Sequence, residues 1–500
     1  MPNLVFVFSD RQRFDTLSAY GNDHVKAPNL NRLSRESLVF KNTYVTQAVC
    51  APARASIMTG LYPHSAGMPR NKLVMPKNVK SIADMVSDEY TKAYFGKWHL
   101  GNEVVSQRGF DEWASGMETL RDEYTEQEYL EMDTSYHHYL IENGYKPDEV
   151  SLGRKIFSDS MRAALPAEFQ MATFFADRAA IFIEEHKDDP FILYVSFLEP
   201  HPPWTGPYDG LHDPCEIPLE PTFLKKPEGH SLFNRIRADF FMQSDLHVPT
   251  NVPIQEWEKN RSEYNSRPTS IGKEFDLRDE SSWKRMRANY YGNITLVDDA
   301  VGKIMDAIDD AGICDETILI FTSEHGDLLG THGMMEMRAF YEEAAKVPML
   351  VRAPMFSKAL GTIEGNFGQI DLVPTLLDLL DQEIPNHLQG TSKARVIKGE
   401  ATLDDNDVFM EHNGIGDRNL GTPVINMLNN MEWRSVVTAD RWKLNLCATD
   451  QCELFDLNND PFEEFNLFNN ADHRDRIRQM AAKIRMWQHF TCDNAPLPGV

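Results

Sequence analysis

Short runs of apolar and β-branched residues recur along the chain, at Leu4–Phe8, Phe191–Phe197, Thr317–Thr322 and Met349–Val351, with longer amphipathic stretches between them. Runs that are apolar at every position predict strands buried on both faces, and helical segments between such strands predict a parallel or mixed sheet sandwiched by helices. That is an α/β architecture. Ile294, Val297, Val301, Ile304, Met305 and Ile308 fall at helical spacing and predict an amphipathic helix over Ile294–Ala311, ended by Gly312. From about Pro202 to Arg285 the chain is rich in Pro, charge and aromatics without a clear period, which reads as long surface loops and short helices of the kind that shape a pocket. An apolar helix at Leu372–Leu380 is followed by a break over Asp381–Gly390. Strand-like pieces then appear at Asp407–Glu411, Trp433–Thr438 and Trp442–Leu446, and an amphipathic helix from about His473 to Phe490. We therefore expect a large α/β unit over residues 1–380 and a smaller α+β subdomain over residues 381–500, with no internal repeat or low-complexity tract.

Composition narrows the choice. Over 500 residues, 42% hydrophobic and 25% charged positions describe an ordinary globular protein and exclude wholesale disorder, collagen and coiled coil. Fifty basic against 76 acidic side chains leave a net charge of −26, which argues against nucleic acid as the partner, because phosphate backbones need clustered Lys and Arg. A small anionic substrate is still compatible, since a positive pocket can sit in a negative surface. Six cysteines are too few for a disulfide scaffold and lack metal-knuckle spacing. The N-terminus has no basic region and too short an apolar run for a signal peptide, and no stretch reaches the ~18–20 apolar residues of a membrane span. The expectation is a soluble chain with no membrane partner, cytoplasmic as written and periplasmic or secreted if a leader has been removed.

Candidate chemistry gathers just after the apolar runs, where open α/β sheets carry their functional groups. Asp10 follows the first run, His99 follows Tyr94-Phe95, His201 follows Phe191–Phe197, and Glu324-His325 follow Thr317–Thr322. Singly, each has an ordinary structural explanation. Jointly, carboxylate and imidazole from separate strands suit a hard or borderline divalent cation. The segment Cys50-Ala51-Pro52-Ala53-Arg54, continuing to Thr59-Gly60, resembles the signature of the type I sulfatases of the alkaline phosphatase superfamily. Further blocks follow in order: Gly96-Lys97-Trp98-His99-Leu100-Gly101, Phe321 to Asp327, Tyr341-Glu342-Glu343 with Val347-Pro348, Ile370 to Leu377, and Leu454 to Pro461. The resemblance spans nearly the whole chain.

It implies an alkaline-phosphatase-like large mixed sheet sandwiched by helices, with a smaller C-terminal subdomain. It also implies that a maturation enzyme oxidises Cys50 to Cα-formylglycine, whose hydrate attacks the sulfur of a sulfate ester in line and later releases sulfate by elimination. By the same resemblance Asp10, Glu324 and His325 hold a divalent metal together with the modified Cys50. Calcium is the implied ion, and an imidazole ligand also suits manganese. Arg54 supports the formylglycine, Lys97 grips a sulfate oxygen, His99 is the base of the elimination, and His201 donates a proton to the leaving oxygen. Asn71 is a candidate substrate contact.

Three positions depart from the family pattern. Asp10 is followed by Arg11, which cannot ligate a cation, where many sulfatases carry a second acid. Choline sulfatases and phosphonate monoester hydrolases, which pair an Asp-His metal strand, also lack that acid. Glu324 stands where an Asp is usual. Met337 stands where a lysine is usual, so one sulfate clamp is missing, and Arg338 or Arg11 is the candidate replacement. The leading reading is a sulfatase acting on a small sulfated substrate, preferably a sugar. The alternatives are a phosphodiester or phosphonate monoester hydrolase and a degenerate sulfated-glycan-binding pseudoenzyme. Trp204, Trp257, Trp283 and Tyr208 in the long excursion suit stacking on a sugar, or equally pinning the loop to the body.

Overall fold

A computed structural model describes residues 1–243, 275, 277, 279–356, 360–414, 427–428 and 430–500. The apolar runs are strands. In chain order these are β1 (Asn3–Ser9), β2 (Leu38–Tyr44), β3 (Thr91–Gly96), β4 (Glu112–Ala114), a small hairpin of β5 (Glu149–Ser151) and β6 (Arg154–Ile156), β7 (Phe191–Ser196), β8 (Thr317–Ser323), β9 (Lys346–Val347), β10 (Met349–Arg352) and β11 (Gly361–Gly368). The large sheet runs β11-β2-β10-β8-β1-β7-β3-β4, with β9 paired to β2. Its centre, β8-β1-β7-β3, is parallel throughout, while β10 is antiparallel to both β8 and β2. The sheet is therefore mixed, as the sequence pattern predicts.

β1 shows why its sequence is apolar at every position. Val5 and Val7 enter a core shared with the helices Met171–His186 and Glu280–Asp310, while Leu4, Phe6 and Phe8 enter a second core with Cys50–Thr59 and Leu372–Leu379. A strand covered on both faces has no polar side to display. The helix Glu280–Asp310 begins fourteen residues before the predicted start at Ile294. Asp279 caps it through the Ser281 amide, and Trp283, Met286 and Tyr290 continue its buried face. Trp283, Arg287, Tyr290 and Tyr291, polar or aromatic residues that blur the period there, are themselves buried, while Glu280 and Arg285 are exposed, which is why the pattern does not show the early turns.

Of the excursion after Pro202, the described part is mainly loop, with a helix at Leu232–Gln243. Trp204 and Trp283 are 1% and 0% exposed, and their indole N–H groups donate to the Pro200 and Leu277 carbonyls. They pin the loop to the body rather than line a ligand groove. Trp257 lies outside the described residues. Past the large sheet, β12 (Val408–Asn413), β13 (Glu432–Val437), β14 (Trp442–Leu446) and β15 (Glu453–Asp456) form an antiparallel sheet. Val436, Leu444, Leu446 and Leu454 pack on Ile477, Met480, Ile484 and Trp487 of the helix Arg474–Thr491. Among the described residues no helix is long and apolar enough to cross a membrane. All six cysteines are free.

Candidate active site

Register delivers the chemistry. Ser9 pairs with Ser323, Phe8 with Ser196, and Gly96 with Ser196, so the carboxyl ends of four adjacent parallel strands finish in one row. Asp10, Lys97 and Glu324 are the next residues of β1, β3 and β8, and His201 follows β7 after a short turn. At Gly96 a Cβ would lie 1.9 Å from the Ser196 carbonyl oxygen, so only glycine lets β3 approach β7 closely enough to place Lys97 there. Parallel neighbours with a common register turn four remote stretches of sequence into one site.

Cys50 comes from outside the sheet as the first residue of the helix Cys50–Thr59, and Arg54, one turn on, shares its face. The helix has no side-chain cap of its own, and Asn71 Oδ1 accepts from the Ala51 amide at 3.0 Å. Asn71 thus holds the N-terminal turn that carries Cys50. Gln47, three residues before Cys50, donates to the Pro69 carbonyl and accepts from Asn413 of β12 at 3.0 Å each. The small sheet therefore braces the loop leading into Cys50.

Asp10, Cys50, Glu324 and His325 are all buried, and each offers a ligand atom within 4.8 Å of the others. His325 Nε2 lies 3.3 Å from Cys50 Sγ and 3.1 Å from Glu324 Oε1, and its Nδ1 is 2.8 Å from the Gly326 carbonyl, which fixes the ring. Lys97 Nζ pairs with Asp10 Oδ2, and Arg54 pairs with Glu324 and reaches Asp10 at 3.6 Å. Burial would raise the Asp10 carboxyl, but Lys97, His201 and Arg54 hold it well below the ordinary range. Glu324 behaves oppositely: burial and the charge of Asp10 push it up to about 7 although Arg54 opposes them. Asp10 Oδ1 has no hydrogen-bond partner among the described residues. A buried, unpartnered carboxylate oxygen beside an imidazole and a second carboxylate fits a divalent cation.

Around this centre, His99 takes a left-handed backbone, φ 56°, held by Glu103, whose carboxylate accepts the Trp98 and His99 amides. Its Nε2 lies 3.4 Å from Glu123. Burial and Lys97 would lower this imidazole, but the Cys50 sulfur and Glu123 outweigh them and raise it to about 9. His201 Nδ1 faces the Pro202 carbonyl at 2.7 Å, and burial together with Arg11 lowers it to about 3.

The two replacement candidates for the missing lysine are both engaged. Arg11 contacts Asp327 at 3.0 Å, and Arg338 pairs with Glu336. Met337 is buried, and its carbonyl accepts from Arg237 at 2.7 Å, with the Arg338 carbonyl taking a second bond from the same guanidinium. Sequence reasoning misses Arg237, Glu103, Glu123 and Asn413, whose partners are far away in the chain or reached only through an irregular turn. Asp327 sits inside the quoted metal-strand block, but its partner Arg11 lies 316 residues away.

The sulfatase family model matches residues 2–382, and the C-terminal model of N-sulphoglucosamine sulphohydrolase matches residues 330–489. The chain is 24% identical to an N-acetylglucosamine-6-O-sulfatase of Bacteroides thetaiotaomicron over 99% of this chain and 88% of that protein. A solved structure bound to its substrate D-glucosamine-2-N,6-O-disulfate has a TM-score of 0.75 at 22% identity, covering 99% of both chains. The phosphonate monoester hydrolase of Silicibacter pomeroyi also has a TM-score of 0.75 at 23% identity, covering 99% of this chain and 96% of that one. These likenesses give the alkaline-phosphatase-like fold. With a family match over more than three quarters of the sequence, the chain belongs to the sulfatase family and is a sulfuric ester hydrolase.

Proposed function

We propose that this enzyme hydrolyses a sulfate ester on a carbohydrate, using a formylglycine made from Cys50 by a maturation enzyme and a divalent metal, calcium or manganese, held by Asp10, Cys50, Glu324 and His325. The observation that carries the reading is the convergence of those four ligand atoms beside Lys97 and Arg54, where the ends of adjacent parallel strands meet the first turn of the helix Cys50–Thr59. Its support on the substrate side is the pair of relatives named for an N-acetylglucosamine 6-sulfate and a glucosamine disulfate. We read residues 1–380 as the catalytic unit and 381–500 as the subdomain that braces it, which fits the large sheet ending at Gly368 and the small one beginning at Val408.

When present, the metal and the formylglycine hydrate supply neutralisation of ester oxygens and a hydroxyl nucleophile. The chain's own residues do the rest. Arg54, fixed one turn from residue 50, keeps the nucleophile's helix against Glu324. Lys97 offers an ammonium to a sulfate oxygen from its seat on Asp10. Arg11 is the clamp in place of the missing lysine: it adjoins Asp10, its charge acts on both Cys50 and His201, and one of its guanidinium nitrogens already rests on Asp327. His201, kept neutral by burial and Arg11, gains basicity when an anionic ester arrives, because added negative charge favours the imidazolium that donates to the leaving oxygen. His99, whose imidazole the Cys50 sulfur and Glu123 raise, rests protonated; handing that proton to the Glu123 carboxylate, 3.4 Å from its Nε2, would free it as the base for elimination.

Mass spectrometry of the tryptic peptide containing Cys50, from a host with the maturation enzyme, tests the reading. The expected product is formylglycine, with Cys50→Ala losing on the order of 10³ or more in turnover. A retained thiol in active protein sinks it. The second reading, phosphonate monoester hydrolysis, is favoured by Arg11 in place of a second acid. Faster cleavage of an aryl phosphonate monoester than of the aryl sulfate would establish it instead. A chain that matures yet turns over neither ester would be the sulfated-glycan-binding pseudoenzyme.

A further inference from the structure

A cleft of about 440 Å³ lies between the short turns that follow β1, at Phe14–Thr16 and Ser18–Tyr20, the 218–221 stretch, Lys346 of β9, and Arg441 and Phe462 of the small subdomain. Its volume falls within the roughly 300–1,000 Å³ of small-ligand sites. It shares no lining residue with the metal centre. Leu219 and Phe462, 38% and 37% exposed, give it apolar walls that nothing else covers fully.

The two ends of the cleft differ in charge. At one, Asp15 and Glu220 both pair with Arg13, and Glu220 pairs also with Arg287, so two acids meet two cations. At the other, Glu342 faces three cations: Lys443 at 2.8 Å on Oε1, and Arg441 at 3.3 Å and Lys346 at 3.5 Å on Oε2. The Tyr44 hydroxyl donates to the same Oε2 at 2.9 Å. Glu463, the other carboxylate on Lys443, is pushed up to about 8 by burial and the charge of Glu342 although Lys443 opposes them, so at neutral pH it offsets little of that positive charge. Lys346 is the least satisfied of the three cations. Its ammonium carries three donors, yet among the described residues its one ion partner is the shared Glu342 oxygen, and its other contact is the Phe14 ring, 4.3 Å away at the centroid. Burial lowers this amine, and although Glu342 opposes that, Arg441 and Lys443 add to it and leave it at about 8. On a chain of net charge −26 this corner is a local exception that an anion would relieve.

We propose that the cleft is a second ligand site, apart from the metal centre, which takes an acidic sugar, with a carboxylate or sulfate on Lys346 and Arg441 and the ring against Leu219 and Phe462. A sugar meets both demands, since its C–H faces are apolar and its anionic substituent stands on the rim. The partly exposed Asp15 carboxylate across the cleft can accept a ring hydroxyl. The assignment is independent of the chemistry at Cys50.

Lys346 can report its own occupancy. An amine near 8 is present as the reactive free base far more than exposed lysines near 10.4. A bound anion would cover it and restore its proton, and raising it by about one pH unit would cut the free base at pH 8 about fivefold. Cys50→Ala protein is treated at pH 8 with a succinimidyl ester, and acylation of each lysine is followed by peptide mass spectrometry. The additions are glucuronate, N-acetylglucosamine 6-sulfate, unsulfated N-acetylglucosamine and inorganic sulfate. Both acidic sugars should slow labelling at Lys346 saturably, by about fivefold or more, and leave exposed lysines unchanged, while the neutral sugar does neither. Phe462→Ala removes an exposed wall outside the ion network and should raise the half-protecting concentration about fivefold. No protection of Lys346 by either acidic sugar overturns the site. Protection by inorganic sulfate as strong as by the sugars, or protection unaltered in Phe462→Ala, would leave a site for a bare anion and overturn the sugar.

Discussion

Arg11 illustrates what a single residue does to this site. It stands beside Asp10 with φ 66°, an uncommon conformation outside glycine that turns its side chain toward Asp327. The pair is buried, 6% and 0% exposed at the side chains. Removing one partner from such a pair strands a charge and costs about 3–5 kcal/mol, while removing both is often nearly neutral. Arg11→Gln should therefore lower the melting temperature, and Arg11→Gln with Asp327→Asn should restore most of it. If Arg11 is also the sulfate clamp, kcat/KM on an aryl sulfate stays depressed in the double variant. Recovery of both stability and kcat/KM would make Arg11 purely structural. The sequence shows at this scale that Arg11, Glu324 and Met337 are anomalous, because each breaks a motif. It does not show how the anomalies are absorbed. The longer Glu324 side chain pairs with Arg54 while still joining the ligand cluster, and the backbone at Met337 is fixed by Arg237 from a helix a hundred residues earlier.

At the scale of elements, the fold is legible wherever a strand is covered on both faces, because burial writes itself as an unbroken apolar run. It is not legible where contacts are polar and distant. No pattern in the sequence pairs His64 with Glu411, yet that contact joins the short helix Pro63–Ala66 to β12, and the second ring nitrogen reaches the Thr491 carbonyl at the end of the last helix. Burial alone would lower the His64 imidazole. Its hydrogen bond to Glu411 and the charges of Glu411 and Asp493 outweigh that and raise it. A base whose folded pKa exceeds its unfolded value, near 6.5, contributes stability that is complete below about 6.5 and is lost as pH climbs through the folded value. The melting temperature should thus decline above neutrality, and His64→Asn should flatten that decline while lowering stability most at acid pH. Parallel pH profiles for the two proteins would remove the His64–Glu411 contact from the account.

For the whole molecule, the net charge of −26 is set against a site built from Arg11, Arg54 and Lys97. All three are buried and paired with Asp327, Glu324 and Asp10, so little of their field reaches outward, and an incoming anion first meets the acidic surface. Attraction begins only at short range. The screening length falls from about 30 Å at 0.01 M salt to about 10 Å at 0.1 M, which mutes surface repulsion but barely touches contacts inside the site. Added salt should therefore raise kcat/KM for a multiply sulfated oligosaccharide over this range, and raise it less for a singly charged sulfated sugar, since repulsion scales with the charge of the ligand. The rise should appear in association and leave kcat unaltered, which stopped-flow binding to the Cys50→Ala protein can separate from turnover. A fall in kcat/KM with salt would mean that cations near the entrance dominate the approach and that the acidic surface lies away from it.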